Sequence, residues 1–451
     1  MSLNPVQFGT EVINQFGRYL LTTFPIADEK MEKQVKAQLR HGTGGEKLIA
    51  KGPYVYLNRP FEQGPSVKEL ATESALGLHP ALAGVFAYDS VHKHQELTLR
   101  SVKKGKHTVV ATGTGSGKTE AFLLPLVDHC LHLRDSGASE GVAAILVYPM
   151  NALADDQLRR LRPMLAGTGI TFGRYTGMTP NDDEPEQGRL PSQRAYTKAE
   201  LKQLSEGMED QVPIPAEECY SRDEIRRRRP RLLISNYSQL EYLLLRDKDL
   251  DLFRGAPLKF MVFDEVHTYT GALGSEVACL IRRLRRVARK SPSDVTCIGT
   301  SATVQNASGK VDARKATIQF GSRLFGVPED TIELVQEHYR AAGPTSPDEY
   351  VPEVPGDAQQ LLQDILEETR QYRLQESVDE ISDALRMHIE KLCGRTASTP
   401  GSNMERSYAL LSRNKLLRRL NQSLTSPMLL SEALSKLKVM GRQDIEAEPL
   451  T

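Results

Sequence analysis

ATGTGSGKTE, residues 111–120, decides the reading of this 451-residue chain. The apolar run TVVA (108–111) leads into it. After it, Phe122, Leu123, Leu126, Val127 and Cys130 share one face of a helix. A strand, a glycine-rich loop and a helix are the setting in which G-x-x-x-x-G-K-[ST] cradles phosphate. Gly113, Gly115 and Gly117 lack a Cβ, so the loop can turn its N–H groups onto phosphate oxygens. The helix N-terminus adds a positive dipole end. Lys118 supplies a point charge for the outer phosphates and Thr119 a hydroxyl for Mg²⁺. Thr114, Gly115, Ser116, Gly117, Lys118, Thr119 and Glu120 are therefore candidate ATP-binding residues. The first motif position is Thr112 rather than Gly.

FDEVH (263–267) ends another apolar run, KFMVF, and supplies the second half of such a site. A strand-terminal Asp264 can hold Mg²⁺ through water, and Glu265 can orient and deprotonate an attacking water. Acidic residues at a strand end are ordinarily a solvated edge; beside a phosphate loop they become candidate catalytic groups, together with Lys118. His267 is read as a link from this site to neighbouring motifs.

Working outward, AAILVYP (143–149), RLLIS (231–235) and VTCIGTSAT (295–303) are further short apolar runs separated by helical stretches. Alternation of that kind predicts an α/β fold with a parallel sheet covered on both faces. The boundaries expected are an N-terminal extension at 1–81, the α/β domain at 82–310, and a helical segment at 311–451. A polar, Pro-containing stretch at 178–230 is longer than an ordinary connection and reads as an insertion. QQLLQDILEETRQYRLQESVDEISDALRMHIEKL (359–392) reads as a long amphipathic stretch.

Lys plus Arg and Asp plus Glu both number 58, which excludes a uniformly basic nucleic-acid-coating protein but not a local basic groove. No apolar run approaches the ~20 residues that span a bilayer, so no membrane association is expected. The N-terminus shows no secretory signal. Five scattered Cys with no CxxC pair predict reduced thiols and a cytoplasmic location.

The order phosphate loop, DEVH, then SAT (Ser301, Ala302, Thr303) resembles superfamily 2 helicases, specifically the first RecA-like domain of a DEAD/DEAH-box enzyme. That resemblance implies coupling roles for His267, Ser301 and Thr303. It makes Gln95 in HKHQELTLR an adenine-reading residue, with Phe86 or Tyr88 available to stack on the base. YPMNALADDQ (148–157), YTGM (175–178) and SNYSQLEYLLLR (235–246) are similar to the family motifs that face the tracked strand. They bring Pro149, Asn151, Gly177 and Asn236 forward as nucleic-acid contacts; Tyr237 stands where the branch more often has Pro. DEVHTYTGALGSEVACLIRRLRR (264–286) is similar to the MrfA-type DNA repair helicases, and the N-terminal blocks resemble the large helicases of bacterial antiphage systems of Druantia or DISARM type.

The resemblance implies an ATP- and Mg²⁺-dependent helicase or translocase acting on single-stranded or partly duplex DNA, with repair or defence partner proteins. An RNA helicase and a nucleotide-gated binding protein without motor activity are the alternatives. No Q-x-x-G-R-x-G-R-like sequence follows residue 303, so a second RecA-like domain is expected to be absent and 311–451 to begin an insertion between motor domains. Two basic clusters, Arg226–Arg229 with Arg231 and Arg282–Lys290, are read as strand contacts or as solvated faces.

Overall fold

The structure is a computed structural model that describes residues 5–40, 54–56, 59–113, 115–138, 140–181, 214–302, 313–340, 350, 356–370, 380–396, 400–415, 417–419, 424, 428–429 and 432–433. These fall into two compact units, Phe61–Arg340 and the pair of segments Met1–Pro60 and Ala341–Thr451.

The first unit is built on eight strands: β1 (His107–Ala111), β2 (Ala144–Tyr148), β3 (Phe172–Arg174), β4 (Glu218–Cys219), β5 (Leu232–Asn236), β6 (Phe260–Phe263), β7 (Thr296–Ser301) and β8 (Ile332–Gln336). Their order in the sheet is β4-β3-β5-β2-β6-β7-β1-β8, and every neighbouring pair is parallel. Side chains alternate along each strand, so each strand feeds two cores. Val110, Leu146, Ile234, Val262 and Ile298 face one side, where they meet Leu99, Phe122, Leu126 and Leu161. Val109, Ile145, Leu233, Met261 and Cys297 face the other, against Leu240, Val277, Leu280, Leu284 and Phe325. The covering helices include α1 (Lys93–Lys103), α2 (Lys118–Asp135), α3 (Asn151–Leu165), α4 (Arg222–Arg228), α5 (Tyr237–Leu245), α6 (Gly271–Val287) and α7 (Ala313–Phe325). The α/β parallel-sheet expectation holds.

Three boundaries differ from the sequence reading. Phe61–Leu78 joins this unit, because Val67, Leu70, Leu76 and Leu78 pack into its first core. At the other end, α7 and β8 belong to the sheet: β8 pairs with β1 along its whole length, so the unit closes at Arg340 rather than 310. The helical reading of the tail missed β8 because IELVQ is short and half charged or polar, as an edge strand allows. Within the supposed insertion, 214–230 carries β4 and α4 and completes the sheet edge; 182–213 lies outside the described residues.

That edge is held by a buried ion pair. Arg162 donates to both oxygens of Glu218 at 2.6 and 2.9 Å, with side chains 6% and 2% exposed. Glu218→Ala leaves the Arg162 charge buried and uncompensated, and is expected to lower stability by about 3–5 kcal/mol. Denaturant unfolding of the two chains checks this; equal midpoints would show that the edge does not depend on the pair.

Histidines kept neutral by burial tie stability to pH, among them His107 and His94. His107 on β1 is buried, its Nδ1 accepts the Cys297 N–H at 3.0 Å, and burial together with the Arg285 and Lys259 charges pushes its pKa down to about 4. His94 on α1 is fully buried and likewise lowered to about 4, by burial and then by the His92 charge. A histidine kept neutral in the fold contributes fully above its unfolded pKa of about 6.5, and that contribution is lost as pH falls below it toward 4. Each is expected to remove about 2 kcal/mol by pH 5. Thermal melts from pH 7 to 5 check this: His107→Gln should flatten the decline, and an unchanged slope would count against the assignment.

The second unit is helical among its described residues, with Pro5–Thr23, Glu29–Arg40, Ala358–Arg370, Asp383–Cys393 and Asn403–Ser412. The expected long stretch at 359–392 is thus two helices, the second capped at its start by Ser382. Tyr350, Leu385, Ile389, Cys393 and Leu410 form a small core. Tyr54–Val55 and Met428–Leu429 pair as a short antiparallel ribbon. Among the described residues no helix is long and apolar enough to cross a membrane.

Candidate active site

The site lies beyond the C-terminal ends of β1, β6 and β7, where ligands of parallel sheets bind. β1 ends at Ala111 and the phosphate loop follows. Thr112 donates its N–H to the Ser301 carbonyl at 3.2 Å, and its hydroxyl lies 2.7 Å from that of Ser116. Gly115 and Gly117 have φ of 77° and 76°, the left-handed region open to glycine, which lets the loop turn back and start α2 at Lys118. Thr114 lies outside the described residues. Gly115, Ser116, Gly117 and Thr119 therefore sit on the turn and on the first residues of α2, as the motif requires.

β6 ends at Phe263, and the Asp264 N–H joins the sheet through the Val147 carbonyl at 2.9 Å. The Thr300 hydroxyl donates to Asp264 Oδ1 and accepts the Glu265 N–H at 3.1 Å, so one side chain of β7 fixes both acids. Glu265 is held at φ 50°, a left-handed conformation rare for a residue with a Cβ. Its Oε1 accepts from Lys118 Nζ at 3.2 Å and its Oε2 lies 3.2 Å from His267 Nδ1. His267 Nδ1 is 3.4 Å from the Ser301 hydroxyl. Lys118, Asp264, Glu265, His267 and Ser301 thus converge; Thr303 lies outside the described residues.

Burial, opposed by the Thr300 bond and reinforced by the neighbouring Glu265, holds the Asp264 carboxyl above its ordinary range. Two adjacent acids facing one ammonium leave negative charge in excess. A divalent cation would suit that excess of negative charge.

Other expected ligand residues are placed differently. Gln95 is 5% exposed; its Nε2 donates to the Gly117 carbonyl at 2.9 Å and its Oε1 accepts the His92 N–H at 2.7 Å. Its carboxamide anchors the phosphate loop to the start of α1 instead of standing open to an adenine edge. Phe86 is in the core, which leaves Tyr88, 46% exposed, as the aromatic ring able to meet a base. Tyr88 Oη lies 3.5 Å from Glu120, whose carboxylate also receives Arg160 from α3. Glu120 is therefore a brace between α2 and α3.

Along the same edge of the sheet, Asn236 Nδ2 donates to Asn151 Oδ1 at 2.6 Å and Asn236 Oδ1 caps α5. This joins the loops leaving β2 and β5. Pro149 is half-buried beside them. Gly177 is exposed, with its carbonyl held by Arg222 at 3.1 Å. Tyr237 packs edge-on against Tyr269 at 6.5 Å between ring centres.

In the first basic cluster Arg227 and Arg229 are exposed, and the other three arginines are engaged within the unit. Arg226 bonds the fully buried Asp249 and the Tyr175 hydroxyl, Arg228 pairs with Glu224, and Arg231 is 7% exposed with a bond to the Ala138 carbonyl. In the second, Arg285 is buried against the Phe325 carbonyl, Arg282 binds the Ala278 and Arg323 carbonyls, and Arg283 pairs with Glu241. Arg286 and Arg289 face solvent. Runs of Arg in sequence did not reveal the acids waiting for them on other elements.

A glycine-rich loop that leads from a strand into a helix, with paired acids at the end of a nearby strand of the same parallel sheet, is the arrangement of a P-loop nucleotide-binding domain. Residues 92–310 match the DEAD/DEAH box helicase family, and this part of the chain is a DEAD/DEAH box helicase domain. The chain is 29% identical over 403 residues to the Druantia protein DruE of Escherichia coli (strain UMEA 4076-1), covering 70% of this chain and 22% of that protein. It is 30% identical over 257 residues to the uncharacterized ATP-dependent helicase YprA of Bacillus subtilis (strain 168), covering 56% of this chain and 27% of that protein. Among solved structures it resembles the DUF1998 helicase MrfA bound to DNA, at 23% identity and a TM-score of 0.44, over 76% of this chain and 41% of that one. The chain spans about a quarter of the length of the two curated relatives.

Proposed function

We propose that this chain is the ATP-binding and ATP-hydrolysing part of a DNA helicase or translocase. The observation that carries the reading is the convergence of Lys118, Asp264 and Glu265, with Lys118 Nζ 3.2 Å from Glu265. On arrival of Mg-ATP, Lys118 turns from Glu265 to the outer phosphates. Glu265, released from the ammonium, orients the attacking water and takes its proton. Bound Mg²⁺ supplies charge neutralisation on the phosphates. Ser301 and His267 report the state of Glu265 to β7, and the Asn151–Asn236 bond joins the loops that would face the strand.

Sequence-independent backbone contacts from Pro149, Asn151, Gly177 and Asn236 fit this role and make binding salt-dependent. DNA is the substrate implied by the branch resemblance. The match to a Druantia protein over 70% of this chain supports a defence setting. The test is steady-state ATP hydrolysis with single-stranded DNA, with RNA and with neither, beside a strand-separation assay on a version extended through any downstream domain. Stimulation by DNA supports the reading. Stimulation by RNA alone favours an RNA helicase, and nucleotide binding without hydrolysis in the extended version favours a gated binding protein.

A further inference from the structure

We propose that Glu337 is a charge gate on the phosphate loop, a residue that competes with the phosphates of the incoming nucleotide and sets the balance of affinity between Mg-ATP and Mg-ADP. This rests on the nucleotide reading of the site.

The register of the sheet puts Glu337 there. β8 runs parallel to β1 with Gln336 beside Ala111, so Glu337 and Thr112 leave the sheet side by side. From that place Glu337 Oε2 accepts the Gly113 N–H at 2.8 Å. The position is held from behind. Glu62 donates its N–H to the His338 carbonyl at 2.8 Å, and the Phe61 and Tyr339 rings stack at 5.4 Å. The Glu62 carbonyl accepts the Lys93 N–H at 2.8 Å, and Gln63 bridges His92. The same short segment therefore supports both Glu337 and the start of α1, whose Gln95 grips the Gly117 carbonyl. The phosphate loop is held near its first glycine by Glu337 and at its last by Gln95.

The two holds differ in chemistry. Gln95 is neutral. Glu337 brings an anion to a loop whose N–H groups are arranged for anions, and the nearby ammonium of Lys118 is engaged by Glu265. A phosphate chain entering the loop meets a like charge, and the repulsion grows with the charge of the nucleotide. Mg-ATP is repelled more than Mg-ADP. Moving the carboxylate aside releases the Gly113 N–H and shifts the residues that follow β8.

Glu337→Gln keeps an oxygen acceptor for Gly113 and removes only the charge; Glu337→Ala removes both. The experiment is titration of the 451-residue chain and the two variants with fluorescent mant-ATP and mant-ADP in the presence of Mg²⁺, at low and at high salt, with thermal melting to confirm the fold. Glu337→Gln is expected to bind mant-ATP about tenfold more tightly at low salt, mant-ADP by a smaller factor, with the difference shrinking as salt screens the charge. Equal or weaker binding by Glu337→Gln, or an equal gain for both nucleotides, overturns the gate. Weaker binding by Glu337→Ala with Glu337→Gln unchanged shows a prop and also overturns it. If the parent chain binds neither nucleotide, or binds as Lys118→Ala does, the nucleotide reading itself fails and the gate with it.

Discussion

Glu265→Gln is expected to bind Mg-ATP as the parent sequence does and to hydrolyse it at least about 100-fold more slowly, the scale of a lost general base. The amide has the shape of the carboxylate, so the left-handed turn at φ 50° and the bond from its N–H to Thr300 remain. The lost property is the basicity of the carboxylate, whose Oε1 faces Lys118 and whose Oε2 faces His267. The pairing with Lys118 also weakens, which frees the ammonium for phosphate and keeps binding at least as tight. Nucleotide titration and single-turnover hydrolysis, measured on the version extended through any downstream domain, separate the two effects. Hydrolysis equal to the parent's would remove Glu265 from the chemistry.

Lys118→Ala is expected to show the opposite pattern, with binding itself lost. A charged hydrogen bond of this kind is worth about 1.5–3 kcal/mol, roughly a tenfold to hundredfold rise in Kd. The variant also leaves Asp264 and Glu265 without the ammonium that pairs with Glu265, which adds repulsion against the triphosphate. Lys118→Arg should recover little, because the planar guanidinium cannot follow α2 into the turned loop. Equilibrium titration with Mg-ATP checks both; undiminished affinity in Lys118→Ala would mean that the nucleotide binds elsewhere.

The core of this site was legible in sequence because its residues sit at strand ends and in one continuous loop. A short apolar strand followed by GTGSGKT, and another followed by DEVH, leave little choice of geometry once the strands are parallel. The coupling roles of His267 and Ser301 came from the helicase resemblance, not from strand-end geometry. What sequence could not show was pairing across elements. Thr300, which fixes both acids, is simply one polar residue in TCIGTS until β7 is known to lie beside β6. Glu337 became visible only through the register of an edge strand that the pattern concealed. Gln95 was expected to read an adenine edge, and its partners in the structure are the Gly117 carbonyl and the His92 N–H. The partners of the basic clusters were hidden for the same reason: Asp249, Glu224 and Glu241 pair with Arg226, Arg228 and Arg283.

The most direct measurement is a crystal structure of the chain with Mg²⁺ and a non-hydrolysable ATP analogue. Expected are the β- and γ-phosphates on the N–H groups of residues 115–119, Lys118 Nζ moved from Glu265 to those phosphates, and the metal between the Thr119 hydroxyl and Asp264. A nucleotide bound away from this loop, or a Lys118–Glu265 pair left intact beneath a bound triphosphate, would contradict this arrangement.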